Sequence, residues 1–184
     1  MSNPSLVIVL LEDVHHRMLV YRYLIKSRLK THQIRIVPSP SGQGSADVWV
    51  RNKFADEVSA YRVRHAKTAT ALIVVIDADT HTVQDRWRQL DQALKDAKKQ
   101  TVDVANEQIA RLVPKHNVET WILCLNGQTV DEDTDYKKRR DDWTELIPEA
   151  AEALFQWTRP KAELPDHCTD SLQSGVRELT RLTF

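Results

Sequence analysis

Two short runs restrict what this chain can fold into. Ala71-Leu-Ile-Val-Val-Ile76 and Leu6-Val-Ile-Val-Leu-Leu11 are apolar at every position and rich in β-branched residues. A strand with one face in water alternates apolar and polar side chains; a continuous apolar run of this length belongs to a strand covered on both faces. Both runs are far short of the roughly 20 apolar residues that cross a bilayer. The chain must therefore supply enough amphipathic helix to bury two sides of a sheet.

The rest of the sequence fits that demand. Ser5–Leu11 reads as a first strand and is followed by a helix whose Val14, Met18, Tyr21, Ile25 and Leu29 share one face. Gln33–Val37 reads as a second strand stopped by Pro38 and Pro40, and the Pro/Ser/Gly-rich stretch to Ser45 as a loop. Ala46 to about His65 fits a helix with Val50, Phe54, Val58 and Tyr61 inward. After the Ala71–Ile76 strand, Thr82 and Asp85 resemble a capping pair opening a helix with Val83, Trp87, Leu90, Leu94 and Ala97 on one stripe. Ile109–Val113 is a fourth strand ended by Pro114, and a helix from near Asn117 buries Trp121, Ile122 and Leu125. Strand–helix repetition with crossovers of this length predicts an α/β fold, a Rossmann-like, mainly parallel sheet flanked by helices. Beyond Gly127, Asp131–Asp142 reads as an exposed charged segment, and Glu145–Trp157 and Leu172–Leu182 as amphipathic helices. We read residues 1–127 as the α/β domain and 128–184 as a helical C-terminal extension packed on it.

Composition excludes several classes. Among 184 residues there are four glycines, which argues against a Gly-rich phosphate loop and against autonomous ATP hydrolysis, and two cysteines, which make no disulfide framework. Met1–Ser5 has no basic region, so no secretory signal is expected and the expected location is cytoplasmic, with no membrane partner. Formal charge is zero, yet residues 1–70 hold 11 basic and 5 acidic side chains, a net of +6, and residues 71–184 hold 15 and 21, a net of −6. Arg22, Lys26 and Lys30 recur every four residues and predict a basic row suited to a phosphate backbone. The tryptophans read as packing residues, Cys124 as buried, and Cys168 beside His167 as too thin a signal for a nucleophile.

In open parallel sheets, ligands bind beyond the C-terminal strand ends. Three strand ends deliver acids there: Glu12 and Asp13, Asp77 and Asp79, and, through Lys115 and His116, Glu119. Individually each acid has a plainer reading: Glu12 and Asp13 could cap the first helix, Glu119 the helix after Pro114, and Asp79 could end its strand in an Asx turn. Asp77 resists that explanation because it ends a buried strand, where a lone carboxylate is costly. Gathered carboxylates repel unless a cation neutralises them, and hard oxygen ligands suit Mg²⁺ or Mn²⁺.

A Glu after the first strand (Val-Leu-Leu-Glu12-Asp) and Asp-x-Asp after a later one (Val-Val-Ile-Asp77-Ala-Asp79) resemble the Toprim domain of topoisomerases, primases and the overcoming-lysogenization-defect nucleases. Val113-Pro-Lys-His-Asn-Val-Glu-Thr-Trp121 is similar to the Pro…Glu-x-Trp stretch of small stand-alone Toprim-like proteins, several of which sit in bacterial defence loci. The likeness covers about residues 5–125. It implies a nuclease with one or two Mg²⁺ or Mn²⁺ ions held by Glu12, Asp77, Asp79 and Glu119, with Glu12 as ligand or general base and Lys115 or His116 stabilising transition-state charge. It implies nucleic acid, DNA or RNA, as substrate along Arg22, Lys26 and Lys30, and allows a larger ATPase subunit or a homo-oligomer as partner. The chain departs from the pattern at Asp13, where these proteins have Gly, and at His16, where they often have an acid; an imidazole at position 16 suits Mn²⁺ or Zn²⁺ better than Mg²⁺. Two alternatives stand beside it. In a receiver-type switch, Glu12 and Asp13 bind Mg²⁺ and Asp77 is phosphorylated, but the expected late Lys-Pro is missing. In a non-catalytic adaptor, the acidic cluster and basic helix serve assembly.

Overall fold

A computed structural model describes residues 4–39, 45–139 and 142–182; residues 40–44 of the expected Pro38–Ser45 loop lie outside it. The chain forms β1 (Leu6–Leu11), α1 (Val14–Lys26), β2 (Ile34–Pro38), α2 (Ala46–His65), β3 (Thr70–Val75), α3 (Val83–Asp96), β4 (Ile109–Leu112), α4 (Val118–Leu125), α5 (Trp143–Trp157) and α6 (Asp170–Thr180). The four strands make one parallel sheet in the order β2-β1-β3-β4. This is the expected α/β layout, consistent with a Rossmann-like fold.

Side-chain alternation along the strands sorts the core into two clusters. Val7, Val9, Leu11, Ala71, Ile73 and Val75 face α1, α4, α5 and α6, whose Leu19, Leu24, Trp121, Ile147, Leu154 and Leu172 pack in the same cluster. Ile8, Leu10, Leu72, Val74 and Ile76 face α2 and α3, meeting Phe54, Val58, Tyr61, Leu90 and Leu94. Both faces are covered, which is why neither strand alternates in polarity. The two C-terminal helices share the first cluster with the sheet.

Local signals explain several boundaries. Thr82 accepts from the Asp85 amide and Asp85 from the Thr82 amide, a reciprocal cap that starts α3. Asp13 caps α1 by accepting from the His16 amide at 3.0 Å. α1 stops at Lys26, with Arg28 at φ 67° turning the chain away. Lys30 therefore leaves the helix, and the expected basic row on α1 is reduced to Arg22 and Lys26. Lys26 itself is tied to Glu152 of α5 at 2.5 Å. Both cysteines are buried, and burial pushes their thiols up, Cys168 to about 12, so neither is a nucleophile at neutral pH.

The strand order places the crevice. From β1 the chain moves through α1 to β2 on one side, and from β3 it moves through α3 to β4 on the other. The gap between the ends of β1 and β3 is thus the topological switch point, where doubly wound sheets take their ligands. β1 and β3 run in register from Leu6–Thr70 to Leu11–Val75, so Glu12-Asp13 and Ile76-Asp77 leave the sheet side by side.

Candidate metal centre

Asp77 is the centre of the switch-point cluster and is fully buried. Its Oδ1 accepts from His16 Nε2 at 2.8 Å and its Oδ2 from Lys137 Nζ at 2.9 Å. Its backbone amide donates to Glu12 Oε2 at 3.1 Å, and its carbonyl accepts from Arg86 Nε at 2.8 Å. Lys137 Nζ also lies 3.5 Å from Asp13 Oδ2. One ligand atom each from Asp13, His16 and Asp77 lie within 4.8 Å of one another, close enough to share an ion. Two carboxylates and an imidazole form a donor set open to Mn²⁺ or Zn²⁺ as well as Mg²⁺.

Two buried atoms point the same way. His16 is fully buried and its Nδ1 has no hydrogen-bond partner, standing 3.7 Å from Asp13 Oδ1. Glu119 is 1% exposed; its Oε1 accepts from His15 Nδ1 at 2.6 Å, while its Oε2 has no partner. Buried polar atoms are ordinarily satisfied, so each of these two calls for a partner, which a water or an ion can supply.

The structure brings together most of the expected site residues but not as one shell. Glu12, His16 and Asp77 touch one another directly or through the Asp77 amide. Asp79 turns aside: its Oδ2 accepts from Arg86 Nη2 at 2.9 Å, and its backbone, at φ 51°, bridges to His116 at φ 64°. Glu119 pairs with His15 and is not one of the three clustered donors. Lys115 points away and pairs with Asp133 at 2.9 Å, while its amide donates to Ser171. Arg22 and Lys26 lie roughly 9 and 15 Å along the α1 axis from His16.

Two participants escaped the sequence reading and a third was underrated. Asp13 was placed among the acids at the strand ends but not in the Toprim-like ligand set, yet it is one of the three clustered donors. Arg86, 2% exposed, ties Asp77, Asp79 and Asp47 together; its place beside the apolar stripe of α3 gives no separate signal. Lys137 lies in the segment read as an exposed charged stretch, and nothing in its spacing connects it with Asp77.

The electrostatics follow from burial and crowding. Burial first, then the neighbouring Asp77, raises the Glu12 carboxyl from 4.5 to about 7. Burial works against a charged His16, but Asp77 and Asp13 outweigh it and raise the imidazole to about 9. Burial also opposes ionisation of Asp13, yet His16 and Lys137 hold it below its usual value. Burial and Asp77 push Asp79 up, and Lys137 is raised by Asp77 and Asp13 against its own burial.

A stability test follows for Glu12. Its unfolded-state carboxyl ionises first as pH rises from 4.5, so the folded state loses stability up to about pH 7 and the penalty is constant above it. Glu12→Gln keeps an oxygen for the Asp77 amide and removes the charge. At pH 8 without metal the variant should be more stable than the parent by roughly 2 kcal/mol, allowing for partial exposure, and the difference should vanish toward pH 4. Urea unfolding at the two pH values measures it; equal stability at pH 8 would show that Glu12 is not held in a crowded acidic pocket.

Fold and site together define an α/β protein whose parallel sheet carries an Asp-His-Asp cluster, buried at His16 and Asp77 and half-buried at Asp13, at its switch point, a group that could hold a metal ion. In comparisons with family models, curated proteins and solved structures, nothing matches this chain. Among the described residues, no helix is long and apolar enough to cross a membrane.

Proposed function

We propose that this protein is a Toprim-like, divalent-metal-dependent nuclease that hydrolyses phosphodiester bonds at the Asp13–His16–Asp77 centre. The observation that carries the reading is the convergence of these three donors within 4.8 Å at the switch point, with a buried orphan atom on His16 among them. The resemblance of Glu12 and of Asp77-x-Asp79 to the Toprim acids adds the reaction class. A divalent ion in such a centre neutralises the charge that builds on a phosphate and its leaving oxygen.

The chain's own residues have distinct tasks in this scheme. Asp13 and Asp77 hold the ion, and His16 favours Mn²⁺ over Mg²⁺. Glu12, whose Oε2 is held by the Asp77 amide beside the centre, is poised to accept a proton from attacking water. Arg86 positions Asp77 and Asp79 by gripping the Asp77 carbonyl and the Asp79 carboxylate. Arg22, exposed on α1, offers a phosphate contact that carries no sequence information. Lys115, held by Asp133, acts only if that pair opens.

Labelled single- and double-stranded DNA and RNA oligonucleotides incubated with the protein and millimolar Mn²⁺ should be cleaved, with activity removed by a chelator. Intact oligonucleotides under both Mn²⁺ and Mg²⁺ would contradict the reading. The lysine on the Asp77 carboxylate favours a second one, a receiver-type switch with Asp77 as phosphoacceptor. That reading expects one added phosphate on Asp77 after treatment with acetyl phosphate; unchanged mass counts against it.

A further inference from the structure

Lys137 occupies an unusual position for a residue outside every strand and α-helix. Its Nζ sits 2.9 Å from Asp77 Oδ2 and 3.5 Å from Asp13 Oδ2, which are carboxylates of two of the three clustered donor residues. The third, His16, binds the other Asp77 oxygen. An ammonium therefore stands against the carboxylates that a divalent ion would bridge. We propose that Lys137 is the built-in counter-ion of this centre, and that a divalent cation enters only by displacing Lys137 and the segment that carries it. This rests on the metal-centre reading and adds a regulatory step to it.

The way the segment is held suits such an exchange. Lys137 belongs to a single 3-10 turn, Tyr136–Lys138, between α4 and α5. Its anchors are few: buried Asn117 donates through Nδ2 to Asp135 Oδ1 at 3.0 Å, the Asp131 amide donates to Tyr136 Oη at 2.9 Å, and the Tyr136 ring packs on the rim of the core. The Lys137 side chain is 40% exposed, whereas Asp77 is fully buried. The four-carbon stem can swing its charge into water at little cost, and a short, exposed turn opens more easily than the sheet beneath it. Withdrawing Lys137 strips one charge from two carboxylates; a divalent ion restores two. The segment thereby sets a threshold: at low metal concentration the ammonium holds the site and keeps Asp77 neutralised, and above it the ion takes over.

Calorimetric titration with Mn²⁺ alone tests the exchange on the parent, Lys137→Met, Lys137→Arg and, as a neighbour control, Lys138→Ala. Lys137→Met should bind Mn²⁺ roughly 10- to 100-fold more tightly than the parent. Lys137→Arg, which keeps the charge, and Lys138→Ala, whose lysine pairs with Asp135 instead, should stay near the parent value. Circular dichroism confirms that each variant is folded. Trypsin provides an independent readout, since Lys137, Lys138 and Arg139 are adjacent cleavage sites: Mn²⁺ should speed cutting of this segment in the parent and leave it unchanged in Asp77→Asn. If the parent binds Mn²⁺ but folded Lys137→Met binds no more tightly, or Mn²⁺ protects the segment, displacement is wrong while the metal centre stands. If no folded variant binds Mn²⁺, both are wrong.

Discussion

Asp77→Asn is expected to abolish Mn²⁺ binding and to cut Mn²⁺-dependent hydrolysis by at least about 10²–10³-fold while leaving the fold intact. Several kcal/mol of charge stabilisation is lost with an ion and its anionic ligand, and each 1.4 kcal/mol is tenfold in rate. The fold should survive because asparagine retains an oxygen for His16 Nε2, and Lys137 can move to solvent. The local electrostatics supply a second measurement. His16 is raised to about 9 by Asp77 and Asp13 against its own burial. Without the Asp77 charge, burial regains ground, and NMR titration of the imidazole should show a marked fall from that value. An unchanged His16 titration would mean that Asp77 is not its partner. Cleavage at the parental rate would remove Asp77 from the catalytic acids.

Gly175→Ala should be the most damaging small substitution in the C-terminal helices. A Cβ at Gly175 would overlap Trp121 Cη2 and come within 2.9 Å of Cζ3. The ring cannot easily yield, for Trp121 is 1% exposed and its Nε1 donates to Ser171 Oγ at 2.7 Å. Overpacking of this kind costs roughly 1–3 kcal/mol, and the pinned indole puts the expected loss near 3 kcal/mol or above. For a domain of this size that is a fall of roughly 6–12 °C in Tm. In a Trp121→Phe background, where the ring is smaller, the same substitution should cost clearly less, so a double-mutant cycle shows coupling. Helix propensity alone predicts the opposite sign, a gain of up to about 1 kcal/mol on replacing a mid-helix glycine. A stabilised Gly175→Ala variant would therefore contradict the packing of α6 on α4. The contact also bears on the site, because Ser171 holds both Trp121 and the Lys115 amide in the loop leading to Glu119.

The parts of this structure that were legible in the sequence are those governed by local physics. Continuous apolar runs marked β1 and β3, and the Thr82–Asp85 pair marked the start of α3, because burial on two faces and capping each leave a short-range pattern. Asp77 was legible for a related reason: a carboxylate ending a wholly apolar strand demands a partner. The end of α1 was not, since Arg28 adopts φ 67° without the glycine that usually signals such a turn, and the basic row was drawn too long. Lys137 was invisible because its role depends on a long side chain reaching Asp77 across 60 positions of chain. Arg86 was hidden by its own amphipathic helix, where an inward arginine looks like a boundary residue.

The most direct test of the metal centre is the anomalous scattering of a crystal soaked with Mn²⁺. The account predicts one peak bounded by Asp13, His16 and Asp77, with Lys137 withdrawn from the Asp77 carboxylate. A crystal that shows no peak there, with the ammonium still seated on Asp77 at high Mn²⁺, would contradict it.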